Sequence, residues 1–230
     1  MTADTSSELG AMRASVRLSA RGMAPRQISA AGRARLIAAA ERLVRDAGAE
    51  RVTVADVCAA AHLSTRTFYA VFADREQVLL EIFDEACERA AAAMARAYRT
   101  GGSWVEGVRG ALCELLAFLD ERPALARFLI VGELADDPVL RARRGEVLAA
   151  LAGALEADRP PATAGSLPAP YGAEAIVGAV ASILHTRLRE EPVPSLRDMC
   201  GALMGVIVLP YLDAAAARRE LARPAQLSAA

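Results

Sequence analysis

The segment Ser64-Thr-Arg-Thr-Phe-Tyr69 sets hydroxyls and one guanidinium side by side on a few residues. Groups of this kind donate hydrogen bonds to phosphate oxygens and to base edges. Chemistry of the bond-breaking sort has no comparable cluster. The chain has two histidines, His62 and His185, and four cysteines, Cys58, Cys87, Cys113 and Cys200, none in a CxxC pair. A zinc site is therefore not expected. No nucleophile with its base, no paired carboxylates and no glycine-rich phosphate loop stand at a recognisable spacing, so an enzyme is not expected either.

The elements that must position those polar groups can be read around them. Thr53 is placed to cap a short helix, with Asp56 three residues on, and Ser64 to cap a second helix after the turn Ala61-His62-Leu63. Cys58, Ala59 and Ala61 are small enough for two helices to cross closely, and Leu63, Phe68 and Val71 supply an apolar back. The outer face of the second helix keeps Thr65, Arg66, Thr67 and Tyr69. This is the pattern of a DNA-binding helix-turn-helix. Upstream, Leu36, Ile37, Ala40, Leu43, Val44 and Ala47 recur at helical spacing until Gly48, which predicts a bracing helix from about residue 30.

The rest of the chain is also predicted to be helical. Of its 230 residues 54% are hydrophobic, with Ala, Leu, Arg and Glu abundant and β-branched and aromatic residues few. Residues 1–80 carry 11 Arg against 8 acids and residues 81–230 carry 16 against 20, a basic front and a mildly acidic rear. Asp74 and Gln77 open a helix of about 25 residues, roughly 37 Å long at 1.5 Å per residue, that links the two parts. Ser103 with Glu106 starts the next, which Pro123 interrupts. A short helix from about Pro123 to Leu134, another from Asp137-Pro138 to Leu155, a proline-rich loop over 158–170 and two last helices at about 171–189 and 196–213 complete the reading. Ser195 is the expected cap of the last. The expected organisation is a disordered basic arm over 1–28, a DNA-binding domain over 29–75, a helical domain over 76–215 and a tail over 216–230. The longest uncharged stretch, Met199 to Leu212, is too short to span a bilayer. With no secretory leader in the pattern of the first residues, a reducing cytoplasm and four buried thiols are expected.

Leu36-Ile-Ala-Ala-Ala-Glu-Arg-Leu43, Gly48, Thr53-Val-Ala-Asp-Val57, Ala61, Ser64-Thr-Arg-Thr-Phe-Tyr69, Phe72 and Asp74-Arg-Glu76 together resemble the TetR family of bacterial transcriptional regulators. Val44, His62 and Val71 depart from the family pattern, His62 standing where a turn glycine is usual. The resemblance implies an all-α protein, a three-helix DNA-binding domain followed by a helical ligand-binding and dimerisation domain. It implies DNA contacts from Thr53, Ser64, Thr65, Arg66, Thr67, Tyr69 and Arg75. Arg66 is the candidate base reader and Arg75 a source of positive charge; Phe68 lies in the same segment but reads more as core. It also implies a homodimer on a palindromic operator, with Gly178, Ala181, Ile183, Leu184, Gly201, Gly205 and Val208 at the interface. A mainly apolar small-molecule effector would lie among Phe83, Cys87, Met94, Tyr98, Trp104, Phe118, Phe128 and His185, with Glu114 and Glu133 as the acids on apolar stretches. No cofactor and no metal are implied, and repression released by the effector is the family's usual mode. A redox sensor using Cys87 and Cys113 is the alternative, and a helical enzyme a more distant one.

Overall fold

The computed structural model describes residues 30–132, 137–159 and 172–223. Every regular element among them is helical. The expected basic arm lies outside the described residues.

Three helices form the head: α1 (Ala30–Ala47), α2 (Val54–Ala61) and α3 (Thr65–Tyr69). α1 buries Leu36, Ile37, Ala39, Ala40 and Val44 and stops at Gly48, whose φ of 83° suits a residue without a Cβ. A short 3-10 turn (Ala49–Arg51) leads into α2. Phe68 and Phe72 are buried, their ring centroids 5.6 Å apart, and hold α3 against the head at about 1.5–3 kcal/mol for each side chain.

α4 (Arg75–Thr100) runs out of the head into the second helical set. Its first turns bury Val78, Leu79 and Ile82, and later ones bury Phe83, Ala86, Ala90 and Ala91, so one rigid rod serves both parts. α5 (Trp104–Asp120) folds back along it. The reversal needs glycine: a Cβ on Gly101 would stand 2.3 Å from the Gly107 nitrogen. α6 (Pro123–Ala126) continues as a single π turn (Arg127–Val131) and ends at Gly132, with φ 70°. α6 packs on α1, which makes it a second connection between the head and the rest. α7 (Pro138–Ala157) and α8 (Gly172–Leu188) lie against each other, and α8 touches the π turn.

Two expectations about the end of the chain are corrected. The helix expected over 196–213 is a 3-10 turn (Arg197–Met199) followed by α9 (Cys200–Val208). Its start is capped not by Ser195 but by Asp120 at the end of α5, whose carboxylate accepts from Leu196 N at 2.8 Å and Arg197 N at 2.9 Å. A cap that comes from 76 residues upstream is invisible to a local pattern. The expected tail from 216 instead holds α10 (Ala214–Ala222), capped by Asp213 and packed on α9. α10 is fastened by a buried ion pair, Arg109 Nε to Glu220 Oε2 at 2.6 Å, with a second bond from Arg109 to the Glu220 main-chain oxygen.

Candidate nucleic-acid interface and ligand cavity

The head is built around carbonyls that arginines satisfy. At the end of α2, His62 takes a left-handed conformation with φ 52° and ψ 47°. Leu63 N reaches Cys58 O at 3.0 Å and His62 N reaches Ala59 O at 3.1 Å, a nested pair of the Schellman type. The two remaining carbonyls accept from α1: Ala60 O from Arg42 at 3.2 Å and Ala61 O from Arg35 at 2.6 Å. All four terminal carbonyls of α2 are thus paired, which fixes the turn and the direction in which α3 leaves it.

α3 starts as its spacing predicts. Ser64 Oγ accepts from Thr67 N at 3.1 Å, and the Ser64 and Thr67 hydroxyls lie 2.9 Å apart. Thr53 caps α2 in the same way and donates to Asp56 Oδ2 at 2.6 Å. Thr53, Ser64, Thr65, Arg66 and Tyr69 are exposed, Tyr69 to 60%, and Thr67 is half-buried. No described residue engages the Arg66 guanidinium, so it is free to meet an external partner. Phe68 is fully buried in the head, with the core role its sequence position suggests.

Arg75 is placed differently from the expectation of a free charge. Its Nε donates to Val52 O at 2.5 Å and its terminal nitrogen to Ala49 O at 2.6 Å, with a longer contact to Glu50 O. It also pairs with Glu76 at 3.4 Å. The side chain ties the loop before α2 to the first turn of α4, because carbonyls there have few other donors. Arg75 is therefore held within the head and does not stand as a free charge.

Behind the head, α4 to α9 enclose a cavity of about 290 Å³ with an almost wholly apolar lining. Phe83, Cys87, Met94, Tyr98 and Phe118 line it, as the sequence reading expects. Trp104, Phe128 and His185 do not, and their assignment is corrected. Trp104 stacks edge-on with Tyr211, 5.2 Å between centroids, at the far end of α5. Phe128 is fully buried behind Phe83 and meets it edge-on at 6.2 Å. His185 sits on a side of α8 that does not reach the lining. Glu114 is likewise absent from the lining, and Glu133 lies outside the described residues.

The residues missed come mainly from α5, α7 and α8, and α7 had contributed none to the expected lining. Arg144, Val147, Leu151 and Leu155 recur every three or four residues and face the cavity. That stripe was the available signal. Burial pushes the Cys87 thiol up to about 12, and burial together with Asp158, which accepts from the Tyr98 hydroxyl at 3.1 Å, pushes Tyr98 up to about 12. Asp84, next to Cys87, is raised by burial, which its bond from Arg143 at 2.7 Å only partly offsets. Burial lowers Arg144.

The cysteine expectation also changes. Cys113 and Cys200 form a disulfide between α5 and α9, with Cα atoms 5.9 Å apart, so Cys113 is partnered by Cys200 and not by Cys87. Cys58 and Cys87 are the free thiols. Among the described residues no group of His, Cys, Asp or Glu is arranged to hold a metal ion, and no helix is long and apolar enough to cross a membrane.

The expected dimer residues divide. Gly178 is exposed with open space where a Cβ would stand, and Ile183 is half-buried. Ala181 and Leu184 line the cavity. Gly201, Gly205 and Val208 are taken up within the monomer: a Cβ on Gly201 would meet the Glu220 carbonyl at 3.0 Å, one on Gly205 the Ala217 carbonyl at 3.5 Å, and Val208 is fully buried. Their place at an interface is corrected, because α10 already covers α9.

No curated protein matches the chain. Its fold is similar to that of FadR from Bacillus subtilis, solved with stearoyl-CoA, at 17% identity and TM-score 0.62, covering 77% of this chain and 98% of that one. It is similar also to RolR without ligand, at 26% identity, TM-score 0.57 and coverage of 83% and 97%, and to RolR with resorcinol, at 23% identity, TM-score 0.58 and coverage of 85% and 95%. Residues 36–82 match the family model of bacterial regulatory proteins, tetR family. The chain thus carries the DNA-binding domain of the tetR family of bacterial regulatory proteins over residues 36–82, and the helices behind it share the fold of the RolR and FadR regulators.

Proposed function

We propose that the chain is a homodimeric repressor that places α3 in the major groove of each half of a palindromic operator and lets go when a mainly apolar small molecule fills the cavity. The observation that carries this reading is the sharing of elements between head and cavity. α4 carries head residues and the lining residues Phe83 to Tyr98 on one rod, and the π turn that lines the cavity continues from α6, which packs on α1. A ligand that prefers one arrangement of these helices shifts the head by that preference and no more. The binding of stearoyl-CoA by FadR and of resorcinol by RolR supports a small-molecule effector in the same fold.

The dimer is assigned to α7 and α8. Ala142, Gly145, Ala149 and Gly153 on α7, and Ala175, Gly178, Ala179 and Ser182 on α8, form two exposed uncharged stripes of small residues on helices that already pack together. Such stripes let the helices of a second copy approach closely, and a two-fold pairing sets two heads to read two half-sites.

Within the head, Arg66 is the base reader, with Thr53, Ser64, Thr65, Thr67 and Tyr69 positioning the helix on phosphates. DNA selected from a random pool and then bound by the Arg66→Ala variant tests this. A bidentate contact to guanine is worth about 1–3 kcal/mol, so the selected site should lose roughly five- to 150-fold while random DNA loses far less. Equal losses on both would refute the assignment.

A further inference from the structure

The two ends of the cavity differ in charge. It extends along α4 from Phe83 to Tyr98, about 22 Å at 1.5 Å per residue, between walls from α5, α7 and α8. At the Tyr98 end, the phenol donates to the Asp158 carboxylate, so that end carries an acid. At the Phe83 end stands Arg144, its guanidinium 5.8 Å from the centre of the Phe83 ring.

Arg144 is only partly satisfied. Nε donates to Leu129 O at 3.0 Å and one terminal nitrogen to Phe128 O at 2.7 Å, closing the carbonyls at the end of the π turn. Those acceptors are neutral. A guanidinium has five N–H groups, and the other terminal nitrogen has no partner among the described residues. Asp137 lies close enough to act on Arg144 through its charge but makes no bond to it, its carboxylate capping α7 by accepting from Val139 N at 2.8 Å and Leu140 N at 3.3 Å, and Asp84 and Glu146 pair with Arg143 instead, at 2.7 and 2.5 Å. A half-buried cation in an apolar wall with no carboxylate bonded to it is costly, and a ligand anion reduces that cost while gaining charge-assisted hydrogen bonds.

We propose that the effector is an elongated amphipathic anion whose carboxylate sits on Arg144 and whose apolar body runs along α4 toward Tyr98. This deepens the reading of the cavity as an effector site and rests on it. It also names the point of action. Arg144 holds the π turn, and α6, from which that turn continues, packs on α1, so a carboxylate on Arg144 acts one side chain away from the connection to the head.

Displacement of a fluorescent apolar dye by decanoate, decan-1-ol and decylammonium, each below its aggregation concentration, tests the charge on the unaltered protein. Decanoate should bind at least tenfold more tightly than decan-1-ol, and decylammonium more weakly than either. In Arg144→Gln, confirmed as folded by circular dichroism, the tenfold advantage should fall below twofold while the alcohol binds as before; Arg144→Lys should keep part of it. Equal affinity for decanoate and decan-1-ol on the unaltered protein would overturn the anion assignment and leave the apolar cavity standing. A loss of alcohol binding in Arg144→Gln as large as that of decanoate would reduce Arg144 to a structural role. Displacement by none of the three would overturn both this inference and the cavity reading.

Discussion

Arg75→Ala separates two accounts of one cationic side chain. As a phosphate contact, Arg75 would leave stability unchanged when removed and lower the salt dependence of DNA binding, by about 0.9 in the log–log slope for one phosphate. The structure requires the reverse. Two short bonds from a charged donor, to Val52 O at 2.5 Å and Ala49 O at 2.6 Å, are lost. Hydrogen bonds to charged groups contribute about 1.5–3 kcal/mol each when well enclosed. The side chain is 22% exposed, and Ala49 O keeps its bond from Val52 N, so water and that amide recover part of the loss. The expected cost is about 2–3 kcal/mol, a large share of a typical domain's stability. Urea unfolding gives the cost, and operator binding between 50 and 200 mM salt gives the slope, which should be unchanged for the folded fraction. Arg75→Lys sharpens the test, since it keeps the charge but cannot bridge the two carbonyls, and it should lose nearly as much stability as Arg75→Ala. A stability change under 0.5 kcal/mol with a slope reduced by about one unit would refute the positioning role.

Three further outcomes are expected. His62→Gly should raise stability by about 0.5–1 kcal/mol, the relief of a left-handed residue less the added flexibility of glycine, and His62→Val should lower it; a lower urea midpoint for the glycine variant would contradict the strain reading. Glu220→Ala leaves the buried Arg109 without its carboxylate and should cost about 3–5 kcal/mol at any salt concentration, whereas Arg109→Met with Glu220→Leu should be nearly neutral; additive losses in the double variant would show the pair to be uncoupled. With its pKa raised to about 12, Cys87 stays a thiol at pH 8, only about 10⁻⁴ of it ionised, and should resist iodoacetamide in the folded protein. Since the unfolded thiol ionises near pH 8.5, the associated stability is full below that value and declines as pH rises toward 12; rapid alkylation of Cys87 at pH 8 would count against its burial.

Local rules carried the reading wherever a helix begins or ends on its own residues. Thr53, Ser64, Asp74, Ser103 and Asp137 cap their helices because a side chain and an amide two or three residues apart need nothing else. The positive φ at His62 and the outward face of α3 follow from the same short-range geometry. The helix α4 was equally plain, and with it four residues of the cavity wall, Phe83, Cys87, Met94 and Tyr98. What stayed hidden depends on distant partners. Asp120 capping the turn before α9, Arg75 folded onto Val52 and Ala49, Arg109 under α10, and Cys113 beside Cys200 each join residues more than twenty positions apart, and no periodicity encodes such meetings.

The sequence by itself determined an all-helical chain, the helix starts capped by their own residues and the outward face of α3 with Arg66 exposed, because these depend on hydrogen bonds and apolar spacing within a turn or two. Tertiary packing alone decided that Arg75 is bonded to the carbonyls of Ala49 and Val52, that α10 covers Gly201 and Gly205, and that Arg144 stands in the cavity wall bonded only to main-chain carbonyls. Each of those outcomes is a competition for one side chain between near and far partners, and only the folded distances settle it.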